Sequence, residues 1–274
     1  MRNKKILQSL SVFVLIAVLA AFPFSVSANH SWGSYHWART SNPFTLKVGD
    51  NVSSIWDSYL NTTISDWSKS TVLDLTKVAG QASARRCPAT SGRVEVCNNT
   101  YGNNGWLGVA TIWASSSHIT QATVKVNDTY FNTSTYNTAA WRNLVMCQEV
   151  GHTFGLVHQD ENFSNTNLGT CMDYTNNPGT NQHPNQGDYD QILCIYDPAS
   201  KGKILSTATH SCKGTGHLDS STTIGAAPAG FANADMHAIQ NWGEKVEDNG
   251  RAAMFVRDFG NGYKVFTFVI WASK

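Results

Sequence analysis

Residues 148–158, Gln-Glu-Val-Gly-His-Thr-Phe-Gly-Leu-Val-His, constrain the folding of this chain more tightly than any other stretch. Leu144, Val145, Gln148, Glu149 and His152 step along one face of a helix, because side chains four residues apart stand above one another. Gln148 and His152 are thereby placed side by side, able to grip one ion, with Glu149 next to them. Gly155 then stops the helix, since glycine accepts the left-handed conformation in which helices commonly end. The turn carries His158 back towards the same ion. Imidazole is a good zinc donor, and a reactive zinc site takes three protein ligands and leaves one position open. A helical Glu-x-x-His alone is common on solvated faces. Here two histidines, a carboxylate and a turn glycine hold their places together.

A second segment, Cys171-Met172-Asp173-Tyr174, follows after an Asn- and Gly-containing loop. With it the chain resembles the metzincins, the matrixin- and astacin-like zinc metalloendopeptidases, which carry His-Glu-x-x-His-x-x-Gly-x-x-His and then a Met-turn. Gln148 stands where that family has its first histidine. The resemblance implies a zinc ion held by Gln148, His152 and His158, Glu149 as general base, and Met172 as a hydrophobic floor. It implies that Tyr174 binds the metal or stabilises an oxyanion. It further implies an α+β catalytic domain, with a mixed twisted sheet backed by two long helices, the active-site helix, the Met-turn and a C-terminal helix. A polypeptide substrate would lie along an edge strand at Gly108–Ala114. Taken singly, Met172 reads as core filling and Tyr174 as a buried tyrosine with a satisfied hydroxyl.

The third ligand has three readings. The amide oxygen of Gln148 is a weaker zinc donor than imidazole. It ligates nonetheless, or Asp160 replaces it, or the site is a relic and the protein a catalytically impaired homologue that binds protein or carbohydrate. Richness in Trp and Asn is the feature that suggests carbohydrate. The retained Glu149 favours an active endopeptidase, because a pure scaffold has no use for a general base.

Residues 1–28 read as a signal peptide: Arg2, Lys4 and Lys5, an apolar run from about Leu10 to Phe22, and Val26-Ser27-Ala28 as the cleavage site. The apolar run is short for a membrane span. Losing those three cations takes the formal charge from +1 to −2, which gives no basis for nucleic acid or anionic membrane as a partner. Charged residues are 14% of the chain, well below the usual quarter, in keeping with a loop-rich secreted monomer. Six cysteines behind an export signal imply disulfides, with fifteen possible pairings. Proximity favours Cys87–Cys97 and Cys194–Cys212. That leaves Cys147 and Cys171 to staple the active helix to the Met-turn, with a thiolate ligand at Cys147 as the rival.

Three regions follow: the signal peptide at 1–28, a metallopeptidase domain at 29–198, and an extension at 199–274. Strands are expected at 44–48, 72–78, 93–97, 108–114 and 119–126. A helix is expected to open on a capping box at Ser54-x-x-Asp57, with Ile55, Tyr59, Leu60, Ile64 and Trp67 as its apolar face. The motif helix starts near Asn137, and a last helix spans 188–196 before Pro198. In the extension, 201–233 reads as linker. Residues 251–258 and 263–271 form a hairpin around Gly260-Asn261-Gly262, a small tail packed on the domain or on a partner. About fifteen residues separate Ala28 from the first strand, too few for a folded pro-segment. No cysteine precedes Cys87 to act as a thiolate plug.

Overall fold

Alternation of apolar and polar residues builds the first half of the sheet. The computed structural model describes residues 30–81, 83–200, 217–220 and 226–273. The expected signal peptide and most of the expected linker lie outside them. The strands are β1 (His36–Trp37), β2 (Phe44–Asn51), β3 (Leu73–Ala79), β4 (Arg93–Asn99), β5 (Trp106–Ser115) and β6 (His118–Asn127). Later come β7 (Glu244–Asp248), β8 (Ala252–Asp258) and β9 (Tyr263–Trp271). The helices are α1 (Asp57–Trp67), a single turn α2 (Asp128–Phe131), α3 (Ala139–His152) and α4 (Gln186–Tyr196). The class is α+β. Among the described residues no helix is long and apolar enough to cross a membrane.

One mixed sheet runs β3-β2-β4-β6-β5-β9-β8-β7, with β1 paired to β6. Strands β3, β2, β4 and β6 are parallel; every pairing from β6 through β5 to β7 is antiparallel. The helix side carries the larger core, with Trp56, Leu60, Trp67, Ile112, Val124, Leu144, Val150 and Met172. The opposite side carries a second core of Trp106, Val109, Trp113, Phe231, Met236, Trp242, Phe255 and Val269.

Three expectations need correction. The capping box at Ser54 does not form. Helix α1 begins at Asp57 behind Trp56, which makes no side-chain cap bond. Trp56 is fully buried and its indole N–H donates to Asp128 Oδ1 at 2.7 Å, while Ile55 is 62% exposed and off the apolar face. Burying the larger side chain outweighs a cap worth about 1 kcal/mol.

Next, β5 is not an edge strand. The hairpin forms at the expected residues, but β9 lies antiparallel along β5 from Trp106↔Trp271 to Ser115↔Tyr263. Phe266, Phe268 and Ile270 join the helix-side core while Val265 and Val269 join the other. A strand apolar on both faces belongs inside a sheet. The extension is therefore continuous with the main sheet rather than a small tail. Finally, α4 starts two residues earlier than expected, on a capping box between Asn185 and Asp188.

Candidate functional site

Helix α3 is opened by Thr138, whose side chain accepts from Trp141 N–H, and it ends at His152. Gly155 follows with φ +101°, a left-handed turn in which a Cβ would stand 2.4 Å from the Tyr35 carbonyl oxygen. The returning strand is held by Val157 N–H donating to His30 O at 2.6 Å and by a bridge between Ser31 and Leu156. These contacts bring His158 back onto the helix: the His152 and His158 rings stand 4.7 Å apart at 82°. Tyr174 lies 3.9 Å from the His158 ring and stacks on Phe163 at 4.6 Å.

Met172 is fully buried beneath this group. Its sulfur would stand 2.7 Å from a Cβ on Gly151, so the x-x of the motif must hold a glycine for the Met-turn to close on the helix. A Cys147–Cys171 disulfide joins the two segments, and a Cys87–Cys97 disulfide joins β4 to the preceding loop. Cys194 is also disulfide-bonded; its expected partner Cys212 lies outside the described residues. The thiolate reading of Cys147 falls with its disulfide.

Gln148, Glu149 and His152 are each 1% exposed. Gln148 Oε1, Glu149 Oε2 and His158 Nε2 are buried without hydrogen-bond partners. Such atoms cost free energy unless something satisfies them. Nδ1 of His152 lies 2.8 Å from Leu156 O and must donate to it, which leaves Nε2 as the lone-pair nitrogen. Burial pushes Glu149 well above the carboxylate range. Burial, and then the neighbouring His158, holds His152 well below the usual histidine value. Burial, and then His30, lowers His158 to about 3. Both imidazoles are neutral, the form that binds metals.

Among the described residues no third His, Cys, Asp or Glu joins His152 and His158. Asp160 Oδ1 accepts from Asn162 N–H at 2.7 Å, and Asp160 O accepts from Tyr174 N–H. That carboxylate serves its own turn. The donor chemistry fits a metal ion: two neutral imidazoles whose rings stand 4.7 Å apart, with the buried, unpaired Gln148 Oε1 as the remaining candidate donor.

Beside His158 and Tyr174 opens a cavity of about 220 Å³, walled by Glu161, Glu247, Met254 and Phe268. The Phe268 ring stacks on His152 at 4.4 Å and 11°. Sequence reasoning had no access to this contact, because nothing local joins positions 152 and 268. The count of Trp also loses its bearing on carbohydrate: eight of nine are buried, and only Trp271 is partly open.

A second cluster was missed. His36, His118, His217 and Asp219 bring one ligand atom each within 4.8 Å of one another, a group able to hold a metal ion. Its sole local signal is His217-x-Asp219. No family model matches the chain, and no curated protein matches it.

Proposed function

We propose that the protein is an exported zinc-dependent endopeptidase of the metzincin kind. The observation that carries this reading is that one short segment holds three buried atoms without partners, Gln148 Oε1, Glu149 Oε2 and His158 Nε2, and folds the His158 ring back to 4.7 Å from a neutral His152. Two disulfides and the absence of a membrane-crossing helix among the described residues are compatible with an extracellular protein.

Gln148, His152 and His158 would hold the metal, which when bound supplies Lewis acidity towards a carbonyl and acidifies water. Glu149 takes the proton from the attacking water and delivers it to the leaving amine. Its Oε2, free of protein partners, is the atom that holds that proton. Tyr174 donates its hydroxyl to the developing oxyanion; burial raises its pKa well above the ordinary tyrosine value, so it remains a donor. Glu161 and Glu247 at the cavity wall favour cationic side chains in the substrate.

Glu149→Gln is the test. The variant is expected to lose proteolysis of a denatured protein by a factor of at least about 100 while retaining zinc, since Glu149 is no ligand. Near wild-type cleavage by the variant would sink the mechanism. Zinc-free wild-type protein that gains no activity on zinc addition would sink the enzyme.

One observation favours a second reading, a homologue that binds rather than cleaves. Strand β9 already fills the place along β5 where an extended peptide was expected, and Phe268 covers His152. Zinc uptake without cleavage in both wild type and Glu149→Gln would select it.

A further inference from the structure

We propose that His36, His118, His217 and Asp219 form a second, structural zinc site that fastens the C-terminal extension to the N-terminal segment and the sheet. The four residues come from β1, from the start of β6 and from the extension, positions that meet only in the folded chain. Asp219 Oδ1 stands 2.8 Å from His118 Nε2 and 3.1 Å from His217 Nε2. His36 Nε2 lies 4.0 Å from Asp219 Oδ2.

The orientation of each group is set from behind. His36 Nδ1 lies 2.7 Å from Ser34 O and donates its hydrogen there, so Nε2 presents a lone pair to the cluster. That Nε2 is buried with no hydrogen-bond partner, in a residue that is 0% exposed. A carboxylate network alone leaves this nitrogen unsatisfied; a cation satisfies it. Asp219 is pinned by a reciprocal backbone pair: its N–H donates to Arg39 O at 2.8 Å, and Arg39 N–H donates to Oδ2 at 3.0 Å. Oδ2 is thus occupied and Oδ1 is turned to the histidines. The Arg39 guanidinium, 3.8 Å from Oδ2, is bonded to Tyr196 O and stands behind the carboxylate.

Three imidazoles and one carboxylate are the ligand set of a zinc-class ion rather than calcium or magnesium, which take oxygen. Ligand atoms of a tetrahedral zinc are about 3.3 Å apart, given bonds of about 2.05 Å. The four candidate ligand atoms lie within 4.8 Å of one another, with Asp219 to His118 and His217 at 2.8 and 3.1 Å already near that value.

The test is a zinc count on the full mature chain, loaded with Zn²⁺ alone and dialysed, with circular dichroism to verify folding. Wild type is expected to keep about two zinc ions, one for each three- or four-ligand site. His152→Ala/His158→Ala should keep about one, His217→Ala/Asp219→Ala about one, and the fourfold variant none. A folded His152→Ala/His158→Ala protein that keeps its zinc unless His217 and Asp219 are also replaced supports the second site even if the peptidase reading fails. A folded His152→Ala/His158→Ala protein without zinc overturns it and leaves the peptidase site intact. Should that variant not fold, wild type against His217→Ala/Asp219→Ala decides. Loss of one zinc supports the proposal, and an unchanged count overturns it.

Discussion

Gln148 is the side chain on which the candidate site turns. It holds the helical position from which a donor would reach an ion bound by His152 and His158, and its Oε1 is buried and unpaired. An amide oxygen donates less to zinc than an imidazole. Gln148→His is therefore expected to tighten zinc binding at this site at least about tenfold, or about 1.4 kcal/mol. A competition titration with a zinc chelator checks it. Unchanged affinity would mean that position 148 does not ligate. Asp160→Asn is expected to leave affinity alone, because Oδ1 of Asp160 caps its own turn at Asn162. Residues 148–158 were readable in the sequence because helical spacing and one glycine turn are local properties. The second cluster was not, since His36, His118 and His217 are brought together only by the sheet and the extension. Ile55 misled for a related reason: its spacing fits the helix, but the adjacent Trp56 takes the interior place.

Strand β9 decides how the site is approached. The apolar-rich run 263–271 made it recognisable as a strand, and Asn261 between two glycines gave the turn. What such a run cannot give is the neighbour, and the neighbour proves to be β5. A free edge there would present unpaired N–H and C=O groups and invite other strands; β9 removes that edge. Phe268 is the contact that ties this strand to the motif, at 4.4 Å from the His152 ring. Phe268→Ala is expected to cost about 3–5 kcal/mol of stability by urea unfolding, as for other aromatic truncations in a core. It should also raise the peptidase rate per folded molecule, because the ring covers a proposed ligand. A loss under about 1 kcal/mol would show that β9 is loosely held. Lost activity in a folded variant would show that the ring positions His152 instead of covering it.

Residues 226–242 form a second layer on the sheet, not an appendage. Phe231, Met236 and Trp242 from this stretch close the core on the face of the sheet away from the helices. The indole N–H of Trp113 donates to Phe231 O, and Gln121 Nε2 donates to Ala232 O. The sequence of 226–242 gave no period to reveal this, because irregular segments bury side chains one at a time. The layer has a measurable electrostatic consequence. Lys125, on the same face of β6, is 6% exposed in a cavity of about 420 Å³ shared with Arg85, Arg86, Asp235 and His237. Burial lowers its ammonium from 10.5 to about 8, with Asp235 opposing the shift. Below about pH 8 both folded and unfolded chains carry the proton, so the cost of burying the charge is constant there. Between about 8 and 10.5 the unfolded chain binds more protons than the native one, and this residue's contribution to stability rises with pH. The gap corresponds to at most about 3–4 kcal/mol at about 1.36 kcal/mol per pH unit. Lys125→Met is accordingly expected to exceed wild type in stability at neutral pH, with the difference shrinking as pH rises from 8 towards 10. Urea unfolding of both proteins across that range measures it. Curves that stay parallel would mean that Lys125 titrates as an exposed lysine and that the layer formed by 226–242 does not seal this face.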